Sequence, residues 1–245
     1  MNFEDCGMPI AKVSFEGNKK KDRVLCVGKD DPNVETEFVE LKLQKPKETV
    51  QVIPNKKRER DVIYITGQSG SGKSYYTMKY ANEYRRIYPK NPIYLFSSLN
   101  EDKGSIDKVK GLKRIKLTPE LLTTDLSTKD FKNALVIFDD VDVIRDKRMR
   151  LKVLSVMNML LETGRHSHTS VVVTYHLPTN GLETRRILNE AHQVVIFPAN
   201  CGGRAMKYLL ENYFGMAKED IKRIKKTSFS MGDTNENLSK CRSLR

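Results

Sequence analysis

The chain has 245 residues, 38% apolar and 31% charged, enough to build one sizeable α/β domain with an appendage and too polar for a membrane-embedded protein. Forty-four Lys and Arg against 31 Asp and Glu leave a formal charge of +13, which favours a polyanionic partner, nucleic acid first, over an acidic one. Four cysteines without a Cys-x-x-Cys pair argue against a zinc site or a disulfide framework and for a reduced intracellular setting. The N-terminus lacks the basic and apolar regions of a signal peptide, and no apolar run reaches the length of a membrane span, so neither secretion nor membrane insertion is expected.

Residues 1–55 read as a β-rich N-terminal segment with strands at Lys12–Phe15, Arg23–Val27, Phe38–Leu43 and Thr49–Ile53. Turn-prone pieces, Glu16–Asn18 and Asp30–Asn33, lie between them, and Asn55–Arg60 forms a charged joint. From Asp61 the rhythm changes to buried strands alternating with helices, the pattern of a mostly parallel sheet flanked by helices. Its strands are Val62–Ile65, Ile93–Phe96, an edge strand at Leu112–Leu117, a central one at Ala134–Phe138, Ser170–Thr174 and His192–Phe197.

The helices are expected at Lys73–Ile87, closed by Pro89 and Pro92, in a short turn opened by Thr118-Pro-Glu, and at Lys147–Thr163 with Gly164 as C-cap. Another runs near Glu183–Ala191, and two more, Ala205–Phe214 and a basic stretch at Lys218–Lys226, follow the last strand. Ser98–Lys110 reads as a polar, mobile loop, and the chain after Thr227 as a frayed end or interaction arm. The expected division is 1–55, a main α/β domain at 56–214, and a basic C-terminal tail at 215–245.

Gly67-Gln68-Ser69-Gly70-Ser71-Gly72-Lys73-Ser74 matches GxxxxGK[ST] in full, after a strand and before a helix, the context a phosphate-binding loop needs. Glycines let the backbone N–H groups face inward, and the following helix adds its positive end. Lys73 is expected on the β- and γ-phosphates and the Ser74 hydroxyl on Mg2+, with ATP as the nucleotide and GTP not excluded. Tyr75 and Tyr76 either lean towards the base or pack on the sheet; packing is favoured, and Tyr75 is kept among the nucleotide-site residues.

The apolar strand ending in Asp139-Asp140 has the form of the second NTPase motif. Asp139 is the expected Mg2+ residue and Asp140 the catalytic acid that polarises the attacking water, the alternative being an acidic turn leading into Val141-Asp142. A strand, Ile93–Phe96, intervenes between the P-loop strand and this one, which points to the additional-strand, water-activating branch rather than a small-molecule kinase. At the end of the strand Ser170–Thr174, either Thr174 or His176 is the candidate γ-phosphate sensor. Arg165, Arg145, Arg185 and Arg186 are candidates for an arginine finger supplied between subunits. His166 and His168 alternate like a metal pair, but no third ligand is near.

The series GQSGSGKS, IYLFSS, LVIFDDVD, LLETGRHSHTSVVVTYH and AHQVVIFP resembles the poxvirus-type genome-packaging ATPases of large DNA viruses, within the FtsK/HerA superfamily. The resemblance spans roughly Asp61–Phe214. It implies a homo-oligomeric ring motor that uses ATP to translocate double-stranded DNA into a capsid, with a capsid protein as partner. Carried over position by position, Lys73 and Ser74 hold nucleotide and Mg2+, Asp139 is the metal-side acid and Asp140 the catalytic acid. It also implies action in the host cytoplasm, viral factory or virion. A nucleotide-dependent switch or assembly scaffold with slow turnover is the competing function, and Asp140 argues against it.

Overall fold

In the computed structural model, the described residues are 8–15, 22–27, 48–99, 106–197 and 203–229. Two sheets organise them. Strands β1 (Met8–Phe15), β2 (Arg23–Val27) and β3 (Glu48–Val52) form an antiparallel sheet in the order β2-β1-β3. Ile10, Ala11, Val13, Leu25 and Val50 make its small core. The strand expected at Phe38–Leu43, both expected turns, and the chain beyond Phe229 lie outside the described residues.

The second sheet has six parallel strands: β4 (Val62–Thr66), β5 (Ile93–Ser97), β6 (Leu112–Ile115), β7 (Leu135–Asp139), β8 (Ser170–Tyr175) and β9 (Gln193–Ile196), in the order β6-β5-β7-β8-β4-β9. The strand lying between the P-loop strand and the acidic strand is therefore β8. Ile93–Ser97, which comes between them in the chain, sits on the far side of β7.

Side chains alternate across a strand, so β4 sends Val62 and Tyr64 to one face and Ile63 and Ile65 to the other, and both faces are buried. Helix α1 (Lys73–Ile87) covers the second face through Tyr76, Tyr80, Ala81 and Tyr84, spaced as one helical stripe. Helix α3 (Lys147–Thr163) covers the first through Met149, Val153, Val156, Met157, Leu160 and Leu161. Short α2 (Pro119–Thr123) and α4 (Gly181–Glu190) flank it. Helices α5 (Gly203–Asn212) and α6 (Lys218–Phe229) pack on each other through Met206, Leu210, Met216, Ile221 and Ile224, across the boundary drawn at residues 214 and 215.

Two expectations change. The loop after β5 is anchored where it is described: Ile106–Lys108 forms a 3-10 turn with Ile106 and Val109 buried against α1. The charged joint before β4 is a clasp: the buried Asp61 carboxylate accepts from the Asn55 N–H at 2.9 Å and the Tyr80 hydroxyl at 3.3 Å, while the Arg60 guanidinium donates to the Leu160 and Leu161 carbonyls that end α3. Gly164 closes α3 as its C-cap, as expected, with a right-handed backbone (φ −63°). The need for glycine there is spatial, because a Cβ would fall on the Leu160 carbonyl oxygen and come within 2.9 Å of Arg60 Nη1.

The N-terminal sheet is attached to the helix that follows the P-loop. Val52 packs in the α1 core, and its N–H donates to the Tyr76 hydroxyl at 2.8 Å.

Candidate nucleotide site

All six strands of the larger sheet are parallel, so the loops after β4, β7 and β8 converge on one edge. The 67–74 loop leaves β4 with the Gly67 N–H bonded to the Tyr175 carbonyl of β8 at 3.2 Å. Gly70 (φ 76°) and Gly72 (φ 97°) take left-handed conformations that a side chain would strain. At Gly67 a Cβ would lie 2.6 Å from Ser71 Oγ and 3.1 Å from Phe197 Cβ, so a side chain there would displace Ser71 and crowd Phe197.

Helix α1 opens on Gly72 with no side-chain cap and no acid in its first turn. Its first N–H groups thus face the loop without an intrahelical acceptor, an anion-binding arrangement. Among the described residues, the buried hydroxyls of Thr66 and Ser71 also lack a hydrogen-bond partner.

Lys73 is buried, with Nζ donating to the Gly67 carbonyl at 2.8 Å and the Gln68 carbonyl at 3.3 Å. The same Nζ is 3.8 Å from Asp140 Oδ1. Tyr76 packs into the α1 core, as the favoured reading had it. Tyr75 is partly exposed beside the loop, with Lys79 Nζ 4.8 Å from its ring centre.

Asp139 ends β7 and is in register with Ser97 of β5, whose hydroxyl donates to Asp139 Oδ2 at 3.3 Å. Thr174 Oγ1 donates to Asp139 Oδ1 at 2.9 Å. Burial and the neighbouring Asp140 charge push the Asp139 carboxyl up to about 6, against the two hydroxyls and Lys73. This donor set fits a divalent cation: the hydrogen bonds to the buried carboxylate come from neutral hydroxyls, and Lys73 is the weakest of the influences on it. Asp139 and the half-buried Ser74 in the first turn of α1 are candidates to hold Mg2+, and Asp140, Asp142 and His176, with ligand atoms within 4.8 Å of one another, form a second group that could hold a metal ion.

Asp140 turns the chain with a left-handed backbone (φ 47°, ψ 48°), and Val141–Val143 follow as a 3-10 turn. A non-glycine residue there is uncommon, though Asp tolerates it better than most. The Asp140 N–H donates to Thr174 Oγ1 at 2.9 Å, which holds the bend. Burial raises the Asp140 carboxyl, opposed by Lys73 and then His176. The two aspartates thus differ: Ser97 and Thr174 hydroxyls bond Asp139, whereas Asp140 has the Lys73 ammonium and the His176 ring within 4 Å of Oδ1 besides a longer Thr174 contact.

Both sensor candidates reach the acid pair. Thr174 bonds to it, and His176 Nδ1 stands 3.5 Å from Asp140 Oδ1 and 3.6 Å from Asp142 Oδ2. Asp142 and Ser97 were not foreseen as site residues. Ser97 carried a readable signal, a polar residue at the carboxyl end of a buried strand; Asp142 was visible only as part of an acidic turn.

Arg165 lies elsewhere. It precedes β8 and pairs with Glu59, which precedes β4, so it sits at the amino edge of the sheet, opposite its own P-loop. Arg186 pairs with Glu162, Arg185 is exposed on α4, and Arg145 is exposed on the nucleotide edge. His166 and His168 are also at the amino edge, in the turns before β8.

A parallel sheet in this order, with a GxxxxGKS loop after β4 and an acid pair after β7 one strand away, defines the P-loop nucleoside triphosphatase fold of the additional-strand type. The chain is 37% identical over 227 residues to "Uncharacterized protein V3" of Sputnik virophage, covering 91% of this chain and 87% of that protein. It belongs to the same family as that virophage protein. No family model matches it.

Among solved structures, the DNA-packaging ATPase B204 of Sulfolobus turreted icosahedral virus is similar at a TM-score of 0.46 and 15% identity, covering 69% of this chain and 88% of that one. EssC ATPases 2 and 3 of Geobacillus thermodenitrificans are similar at a TM-score of 0.44 and 10% identity, covering 70% and 37%. The fold assignment rests on the sheet order and the loop. Among the described residues no helix is long and apolar enough to cross a membrane.

Proposed function

We propose that this chain is an ATP-hydrolysing motor that translocates double-stranded DNA, packaging a viral genome into capsids as a homo-oligomeric ring. The observation that carries the hydrolytic part is the placing of Asp140 beside Lys73, 3.8 Å from its ammonium, while Asp139 takes the Ser97 hydroxyl and the shorter of the two Thr174 contacts. A nucleotide-binding switch needs one acid for a metal; a second acid facing the phosphate-side lysine supports water activation. The motif resemblance to packaging ATPases and the +13 charge support the DNA part.

The P-loop N–H groups and Lys73 would hold the β- and γ-phosphates. Asp140 would accept a proton from the water attacking the γ-phosphorus, while the bond from that phosphorus to the bridging oxygen breaks and ADP leaves. Mg2+ at Ser74 and Asp139 would neutralise charge on the phosphate oxygens. An arginine finger would come from a neighbouring copy. Arg165 would require the neighbour to present its amino edge to this site.

The test is ATP turnover by the full chain with and without duplex DNA at low salt. Duplex DNA is expected to raise turnover, and Lys73→Ala to abolish nucleotide binding and turnover together. Asp140→Asn is expected to keep ATP bound while losing turnover by roughly 10²–10⁴-fold. Wild-type turnover indifferent to DNA would refute the motor and leave the P-loop assignment standing.

A further inference from the structure

The run Arg145–Lys152 carries five cations, and the structure divides them into two groups. Arg150 is committed to Glu183 of α4, its Nη2 lying 2.7 and 2.8 Å from the two carboxylate oxygens, and Lys152 Nζ donates to the Thr124 carbonyl at 2.6 Å. These two join α3 to its neighbours. Arg145, Lys147 and Arg148 are exposed, and among the described residues none of the three meets a carboxylate or donates a side-chain hydrogen bond.

Their position is the second point. The chain leaves β7 at the nucleotide edge, passes Asp140, makes the 3-10 turn Val141–Val143, buries Ile144, and presents Arg145, Lys147 and Arg148. Arg145 is five positions beyond Asp140, so the two are at most about 17 Å apart along even an extended chain. Val141 and Ile144 anchor this segment in the core, so it is not a loose arm. Cations clustered there repel one another, and among the described residues no carboxylate forms an ion pair with any of the three.

We propose that Arg145, Lys147 and Arg148 form a contact surface for the phosphate backbone of duplex DNA, next in the chain to the acid pair. Neighbouring backbone phosphates match such a row of cations without demanding a base sequence. DNA held there would bear on the segment that begins at the left-handed turn of Asp140, a direct mechanical route between nucleic acid and the hydrolytic residue. The inference rests on the motor reading and narrows it to a surface.

The experiment uses the full chain, a fluorescently labelled duplex of mixed sequence, and the double variant Lys147→Glu/Arg148→Glu. Affinity at moderate salt is expected to fall at least roughly tenfold, and the slope of log affinity against log salt to become shallower by about 2, one for each lost phosphate contact. ATP turnover without DNA is expected to stay at the wild-type level. Acids in the first turn of α3 suit the helix dipole, so the melting temperature should hold or rise, which guards against misfolding. A variant that binds DNA with wild-type affinity and slope, while wild-type turnover responds to DNA, overturns the surface and leaves the motor. Wild-type protein that neither binds duplex nor responds to it overturns both.

Discussion

Thr174 Oγ1 donates to Asp139 Oδ1 at 2.9 Å and accepts the Asp140 N–H at the same distance. One buried hydroxyl therefore fixes the orientation of the first acid and the strained backbone of the second. It can do so because β8, which carries it, lies directly against β7.

Thr174→Val keeps the shape of the side chain and removes both bonds, leaving a buried N–H without an acceptor. The expected cost is about 1–3 kcal/mol of stability and a loss of ATP turnover larger than the loss of ATP affinity. Thr174→Ser should restore much of the turnover. Urea unfolding and steady-state kinetics on the three proteins check this, and a Val variant with wild-type turnover would remove Thr174 from the site.

His192 supplies a pH dependence. Its Nδ1 accepts the Val62 N–H at 3.0 Å, so the ring must be unprotonated at that atom, and burial, then Arg58 and Arg60, pull its pKa down to about 4. With the folded value depressed below the ordinary 6.5, the unfolded chain binds more protons between the two values. Stability is then intact above about pH 6.5 and declines as pH falls towards 4. For a partly exposed ring the loss is on the order of 1–2 kcal/mol. His192→Asn, which keeps an acceptor near Nδ1, should flatten the fall of melting temperature over that range.

The closure of α3 by Arg60 is a structural device separable from the chemistry. Arg60→Ala leaves the Leu160 and Leu161 carbonyls without their buried donor, and the expected loss is about 2–4 kcal/mol of stability. Gly164→Ala should destabilise through the clash with the same carbonyl and guanidinium. In both variants the turnover of the protein that remains folded should match the wild type, because the residues sit at the amino edge. Melting curves set beside active-site titration separate the two effects.

Much of this was legible in the chain. A loop of fixed spacing between a buried strand and an amphipathic helix announces itself because its glycines, Lys73 and Ser74 answer local geometry. The Asp139–Asp140 pair is legible for a similar reason, since acids after a fully apolar strand must lie at its end. Helix α3 could be read to the residue from its apolar stripe and from Gly164.

The order of the strands could not be read this way. Parallel strands buried on both faces all read as runs of Val, Ile and Leu, so nothing local says that β8, and not β5, lies between β4 and β7. That choice follows from which crossover helices cover which face, a packing decision made over the whole domain. The amino acids by themselves determined a P-loop, its lysine and its acid pair. Only the tertiary structure decided that Thr174 joins the two aspartates, that Asp142 and His176 stand beside them, that Arg165 belongs to the opposite edge, and which cations beyond the acid turn remain unpaired. Each of these depends on contacts between distant segments, and such contacts leave no periodic mark in the sequence.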